Sequence, residues 1–126
     1  MKPALSRALI VVAGLMGAAG IVLAALGAHG PGYTRLATAS SMLLFHAPVI
    51  LATVLLVAQK LLQRWLAIAA AIGFAVGATV FAADLAMRDL AGYALFAMAA
   101  PTGGTILITS WLALAASSLF GSRRIG

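Results

Sequence analysis

The sequence has no cysteine and only two acidic residues, Asp84 and Asp89, in 126 positions. Without cysteine there is no disulfide, no thiolate nucleophile and no cysteine-held zinc or iron–sulfur site. Paired carboxylates, a phosphate-cradling glycine loop and a nucleophile spaced from a base are also missing, so an enzyme is not expected. Charge of either sign is scarce: Asp, Glu, Lys and Arg make up 8% of the chain, against 64% hydrophobic residues. A soluble domain is usually about 45–50% apolar and about 25% charged. This balance excludes an ordinary soluble enzyme, a disordered tail and a nucleic-acid module. It describes a membrane protein.

The eight Lys and Arg give a net charge of +6. They stand singly or in pairs between apolar runs, whereas a nucleic acid would require one basic stripe. They read as orientation signals that also attract anionic lipid headgroups. A bilayer crossing takes roughly 20 apolar residues, and the chain holds four such runs in a single domain, residues 1–126. The spans fall at about 9–28, 36–58, 65–86 and 101–120. The first follows Lys2 and Arg7 like a secretory signal, but it exceeds the roughly 7–15 residues of a signal core and reads as a retained anchor. His29-Gly30-Pro31-Gly32 stops it. Pro101 suits the first turn of a helix, where its missing N–H has no partner to lose. Residues 90–100 are then too short to cross, and a short interfacial helix is expected there, with one long kinked helix as the alternative.

Four spans put Lys2, Arg7, Lys60, Arg64, Arg123 and Arg124 on one side and only Arg35 and Arg88 on the other. The positive-inside bias therefore places both termini in the cytoplasm. Trp65 on that side, with Tyr33 and Tyr93 opposite, suits the interfacial aromatic belts. The fold class expected is all-α, an integral membrane four-helix bundle.

Lipid tails are as apolar as leucine, so helices in a bilayer meet through small residues that let backbones approach. Gly14, Gly17 and Gly20 in the first span are such positions, as are Gly73 and Gly77 in the third and Gly103 and Gly104 in the fourth. Packing within one chain and a dimer contact both remain open. His46 falls about 15 Å into the second span at 1.5 Å per residue, near the bilayer midplane. An ionisable group there is a functional candidate. Pro48 frees the Leu44 carbonyl, and Trp111 lies at a matching depth with an indole N–H that needs an acceptor. Trp111, His46 and Leu44 can satisfy one another, which makes His46 a neutral packing residue. The alternatives are a haem or chlorophyll-type pigment ligand and a proton or ion path. Asp84 and Arg88 have the spacing of a helix-surface ion pair. With His29, Arg35 and Asp89 they form an outer polar cap, an unspecific metal site at most. Ser40, Ser41, Thr79, Thr109 and Ser110 are expected to bond their own helix backbone.

The segments Leu26-Gly27-Ala28-His29-Gly30, Phe45-His46-Ala47 and Pro101-Thr102-Gly103-Gly104, followed by Trp111, resemble one family over nearly the whole chain. These are the small bacterial inner-membrane proteins of the YgdD and YwdK type, catalogued as domain of unknown function 423; transmembrane protein 256 of animals is similar. The resemblance implies a four-pass helical protein of the bacterial inner membrane and no established activity. By position, His29 and His46 match the family's two histidines. Gly103, Gly104 and Trp111 match its proline–glycine–glycine and tryptophan pattern. The first outer loop is shorter here, and Asp84 and Ala86 stand where the family tends to have a small hydroxyl residue and a tyrosine.

Three functional readings follow. The first is a non-enzymatic structural or accessory subunit, without cofactor, packing against a larger membrane complex. The second is a homo-oligomeric permeation element for small solutes, ions or protons. The third is a haem- or pigment-binding subunit using His46.

Overall fold

A computed structural model describes residues 1–121, and Arg123 and Arg124 lie outside the described residues. Four helices run in chain order: α1 Pro3–His29, α2 Thr34–Ala58, α3 Arg64–Leu90 and α4 Ala99–Leu119. All four are long and apolar enough to cross a membrane. At 1.5 Å per residue the shortest, of 21 residues, is about 32 Å long, matching a hydrocarbon core of roughly 30 Å. Over the described residues the protein is all-α, with four helices, and it is a multi-pass membrane protein.

The helices pack in sequence order, α1 on α2, α2 on α3 and α3 on α4, with α1 touching α3 only lightly. The result is a curved row more than a closed square. The inner helix α3 is the most enclosed; α1 and α4 are the least. Alanine explains the close stacking along α3, where Ala67, Ala70, Ala71, Ala78 and Ala82 are buried with Phe74. Small side chains trade hydrophobic area for backbone proximity, which is the currency of packing in lipid.

The turns follow from local chemistry. After α1, Pro31 cannot donate a backbone hydrogen bond, and Tyr33 N–H closes a turn onto the Gly30 carbonyl at 3.1 Å. After α2, Lys60 takes a left-handed φ of 60°. Its N–H reaches the Val57 carbonyl at 3.0 Å, and the Leu61 N–H reaches that of Leu56 at 3.1 Å. This is a Schellman ending with lysine at the position usually held by glycine. Gln63 then caps α3 by accepting the Leu66 N–H at 2.8 Å, while its own N–H ties to the Ser117 carbonyl of α4 at 2.7 Å.

The connection between α3 and α4 corrects an expectation. Residues 91–98 form turns and bends, neither a short interfacial helix nor part of a long kinked one. Gly92, at φ 82°, turns the chain out of α3, and Met98, at φ 65°, turns it into α4. Between them the Leu95 N–H is claimed by the Asp84 side chain, so it is not spent on a helical bond.

Candidate functional site

Polar side chains gather at two depths. In the middle of the bundle, Trp111 Nε1–H donates to His46 Nε2 at 3.2 Å, and His46 Nδ1 lies 2.8 Å from the Met42 carbonyl. Indole is only a donor and a carbonyl only an acceptor. The imidazole is therefore neutral, protonated on Nδ1 and accepting at Nε2. The sequence reading places the third partner at Leu44; the structure places it at Met42, one turn before the histidine on its own helix. Phe74 of α3 packs beneath, its ring centroid 4.9 Å from Trp111 and 5.7 Å from His46. Phe45 flanks both rings. His46 is 3% exposed, whereas Trp111 is 37% exposed on the lipid-facing side.

This geometry limits what His46 can do. Both ring nitrogens are engaged, so haem iron or a pigment metal would have to displace the indole from Nε2. The residues do not fit such a ligand as they stand. A permeation path would have to join His46 to Asp84, yet Asp84 lies ten residues from Phe74 along α3, about 15 Å away. Neither His46 nor Asp84 lines the cavity beside the α2–α3 turn, the groove between α1 and α3 or the hollow at the start of α4.

At the end of the bundle opposite the N-terminus, the outer cap resolves into two separate carboxylate anchors. Asp84 is fully buried. It accepts Arg88 Nε–H at 3.0 Å and the Leu95 N–H at 2.9 Å, and Ala100, in the first turn of α4, also presents its amide. Asp89 accepts the N–H groups of Arg35 and Leu36 at 2.7 and 3.0 Å, and the Arg35 guanidinium reaches its other oxygen at 3.3 Å. The first turns of α2 and α4 thus each meet a carboxylate from α3, where a negative charge complements the helix dipole. His29 joins neither anchor, and among the described residues no three His, Asp or Glu side chains converge.

The glycines divide by role. Gly73 leaves room for the Ser110 hydroxyl of α4, and Gly77 and Gly103 face each other. A Cβ on Gly77 would sit 3.0 Å from the Gly103 carbonyl oxygen, and one on Gly103 would sit 2.8 Å from that of Gly77. Gly20 lets Leu44 and Leu43 of α2 approach, and across that contact Ser40 Oγ–H donates to the Gly20 carbonyl at 2.7 Å. This corrects the expectation that Ser40 bonds its own helix; Ser41, Thr109 and Ser110 do bond theirs. Gly14, Gly17 and Gly104 make no such close approach within the described chain. A Cβ on any of them meets nothing within 4 Å, because their faces of α1 and α4 carry no neighbour in the open row. Phe74 and the Ser40–Gly20 bond gave no signal in the sequence; Asp89 was placed in the outer cap, without its service to the start of α2.

A family model described as "Protein of unknown function (DUF423)" matches residues 23–104. The chain belongs to this family. The match runs from late α1 into the first turns of α4, so it includes His46, both carboxylate anchors and the Gly77–Gly103 contact, and it stops short of Trp111. Neither a curated protein nor a solved structure matches the chain significantly.

Proposed function

We propose that this family member is a non-enzymatic accessory subunit that packs against a larger complex in the bacterial inner membrane, with both termini cytoplasmic. The observation that carries the reading is the outward face of α1. Gly14 and Gly17 there give no close approach to any other element among the described residues, yet glycine in a helix interior costs roughly 0.5–1 kcal/mol relative to alanine. Small residues of this kind admit a neighbouring helix in lipid. Gly14 is exposed and Gly17 half-buried, which suits a partner outside the chain. The engaged ring nitrogens of His46 and the separation of His46 from Asp84 weigh against the pigment-binding and permeation readings.

The test uses native membranes extracted in mild detergent and native mass spectrometry of the intact particle. Co-migrating chains that are lost in the variant G14L/G17L, while the melting temperature of the isolated protein holds, support the proposal, since the space beside each Cα is open to 4 Å from an added Cβ. A single-chain particle overturns it. A particle of identical copies overturns it in favour of the homo-oligomer, and flux measurements then test permeation.

A further inference from the structure

We infer that the end of the bundle bearing the N-terminus holds a binding site for the headgroup of an anionic phospholipid. The site is a cavity of about 550 Å³ between the α2–α3 turn and Phe120. Val57, Leu62 and Phe120 supply apolar walls, and Lys60, Arg64 and Trp65 stand among its other lining residues.

Charge is the first argument. The chain's two acidic side chains both lie at the opposite end of α3, where Asp84 pairs with Arg88 and Asp89 with Arg35. No acidic side chain is left for Lys60 and Arg64, which suits them to an anion from outside the chain. The second argument is geometry. The Arg64 guanidinium stacks over the Trp65 ring, 4.7 Å from its centroid. Stacking holds the planar fork while leaving its N–H groups available, an arrangement suited to a phosphate. Lys60, which lines the cavity, sits in a left-handed conformation where glycine would be unstrained. Strained backbone of this kind gathers at functional sites.

The surroundings favour a lipid over a free anion. Trp65 is largely exposed, as tryptophans of the interfacial belt are, and the apolar walls offer a place for the glycerol and upper acyl carbons. Basic pockets at the cytoplasmic ends of membrane helices take acidic headgroups. The larger groove between α1 and α3 has no charged residue in its lining and offers no such selectivity.

The experiment titrates detergent-solubilised protein with phosphatidylglycerol or phosphatidylcholine and counts retained lipids by native mass spectrometry. One phosphatidylglycerol is expected to stay bound, in clear preference to phosphatidylcholine. Each basic contact contributes roughly fivefold to binding of an acidic headgroup, so K60Q/R64Q should bind about 25-fold more weakly. The variant K2Q/R7Q removes the same charge from the same end without touching the cavity, and should bind as the parent does. K60G relieves the left-handed lysine, so it should keep or raise the melting temperature while binding roughly fivefold more weakly. That separates a lost contact from a damaged fold. Equal weakening in both double variants would reduce the site to diffuse charge and overturn the inference. So would equal retention of the two lipids, displacement of phosphatidylglycerol by millimolar inorganic phosphate, or an acidic protein chain in place of the lipid.

Discussion

Asp89, in the last turn of α3, caps the helix that begins at Thr34 by accepting the Leu36 N–H at 3.0 Å and the Arg35 N–H at 2.7 Å. Tyr33, the residue at the cap position itself, offers no side-chain bond. The cap is thus supplied from 53 positions away in sequence, and it fixes the end of α3 to the start of α2. The Asp89 side chain is 2% exposed while that of Arg35 is 51% exposed. The backbone amides, more than the solvent-facing guanidinium, therefore determine what the carboxylate contributes.

That inequality is measurable. D89A should destabilise the protein by about 1–2 kcal/mol, the range for losing a helix cap. R35Q, which removes only a half-exposed ion-pair partner, should cost no more than about 1 kcal/mol. D89N keeps an oxygen acceptor and should fall between them. Reversible unfolding in detergent gives all three values. Equal losses for D89A and R35Q would mean that the ion pair, and not the cap, carries the contact.

Asp84 acts on the other connection. It holds the non-helical segment 91–98 through the Leu95 N–H and anchors Arg88 on its own helix. D84A leaves that amide without its acceptor, which costs roughly 1–3 kcal/mol when buried. Amide hydrogen exchange should quicken in residues 91–100 and stay unchanged in α1. A uniform quickening through all four helices would show instead that Asp84 supports the bundle as a whole.

The His46–Trp111 contact predicts a tautomer. Nitrogen NMR on the labelled imidazole should find Nδ1 protonated and Nε2 bare, because Nε2 receives the indole N–H. In a double-mutant cycle, H46L and W111F should show a coupling of about 0.6–1.7 kcal/mol, the span measured for polar pairs between membrane helices. An Nε2-protonated ring, or no coupling, would break the pair.

Sequence periodicity and length were enough to give four spans, their order and the depth at which His46 and Trp111 meet. The bilayer imposes all of these on any chain with four apolar runs of this size. What was not legible was which carbonyl takes the Nδ1 proton. Met42 lies one turn before His46 on the same face of α2, whereas Leu44, two residues back, faces another way, so a carbonyl freed by Pro48 did not by that become the ring's partner. The segment 91–98 was misread because Leu90 and residues 94–100 are apolar enough for a helix, while the group that unwinds them, Asp84, sits a full turn and more before the segment begins. Asp89 could be counted as a rare acid, but its service to α2 depends on helix packing order.

The glycines make the same point in a form that can be measured. Gly14, Gly17, Gly73 and Gly77 look alike in a chain this rich in small residues, since small side chains at any outward or inward face satisfy the same pattern. Geometry separates them. G77A and G103A force a methyl group against a backbone carbonyl at 2.8–3.0 Å, which neither helix can relieve by rotating a side chain, and each should lower stability by about 1–3 kcal/mol. G14A meets open space and should leave the isolated protein unchanged or more stable by up to about 1 kcal/mol, through better helix propensity. Melting temperatures in detergent test the contrast. Similar losses at positions 14 and 77 would mean that α1 also meets a neighbour in the detergent particle, and the particle's mass would then reveal a second copy.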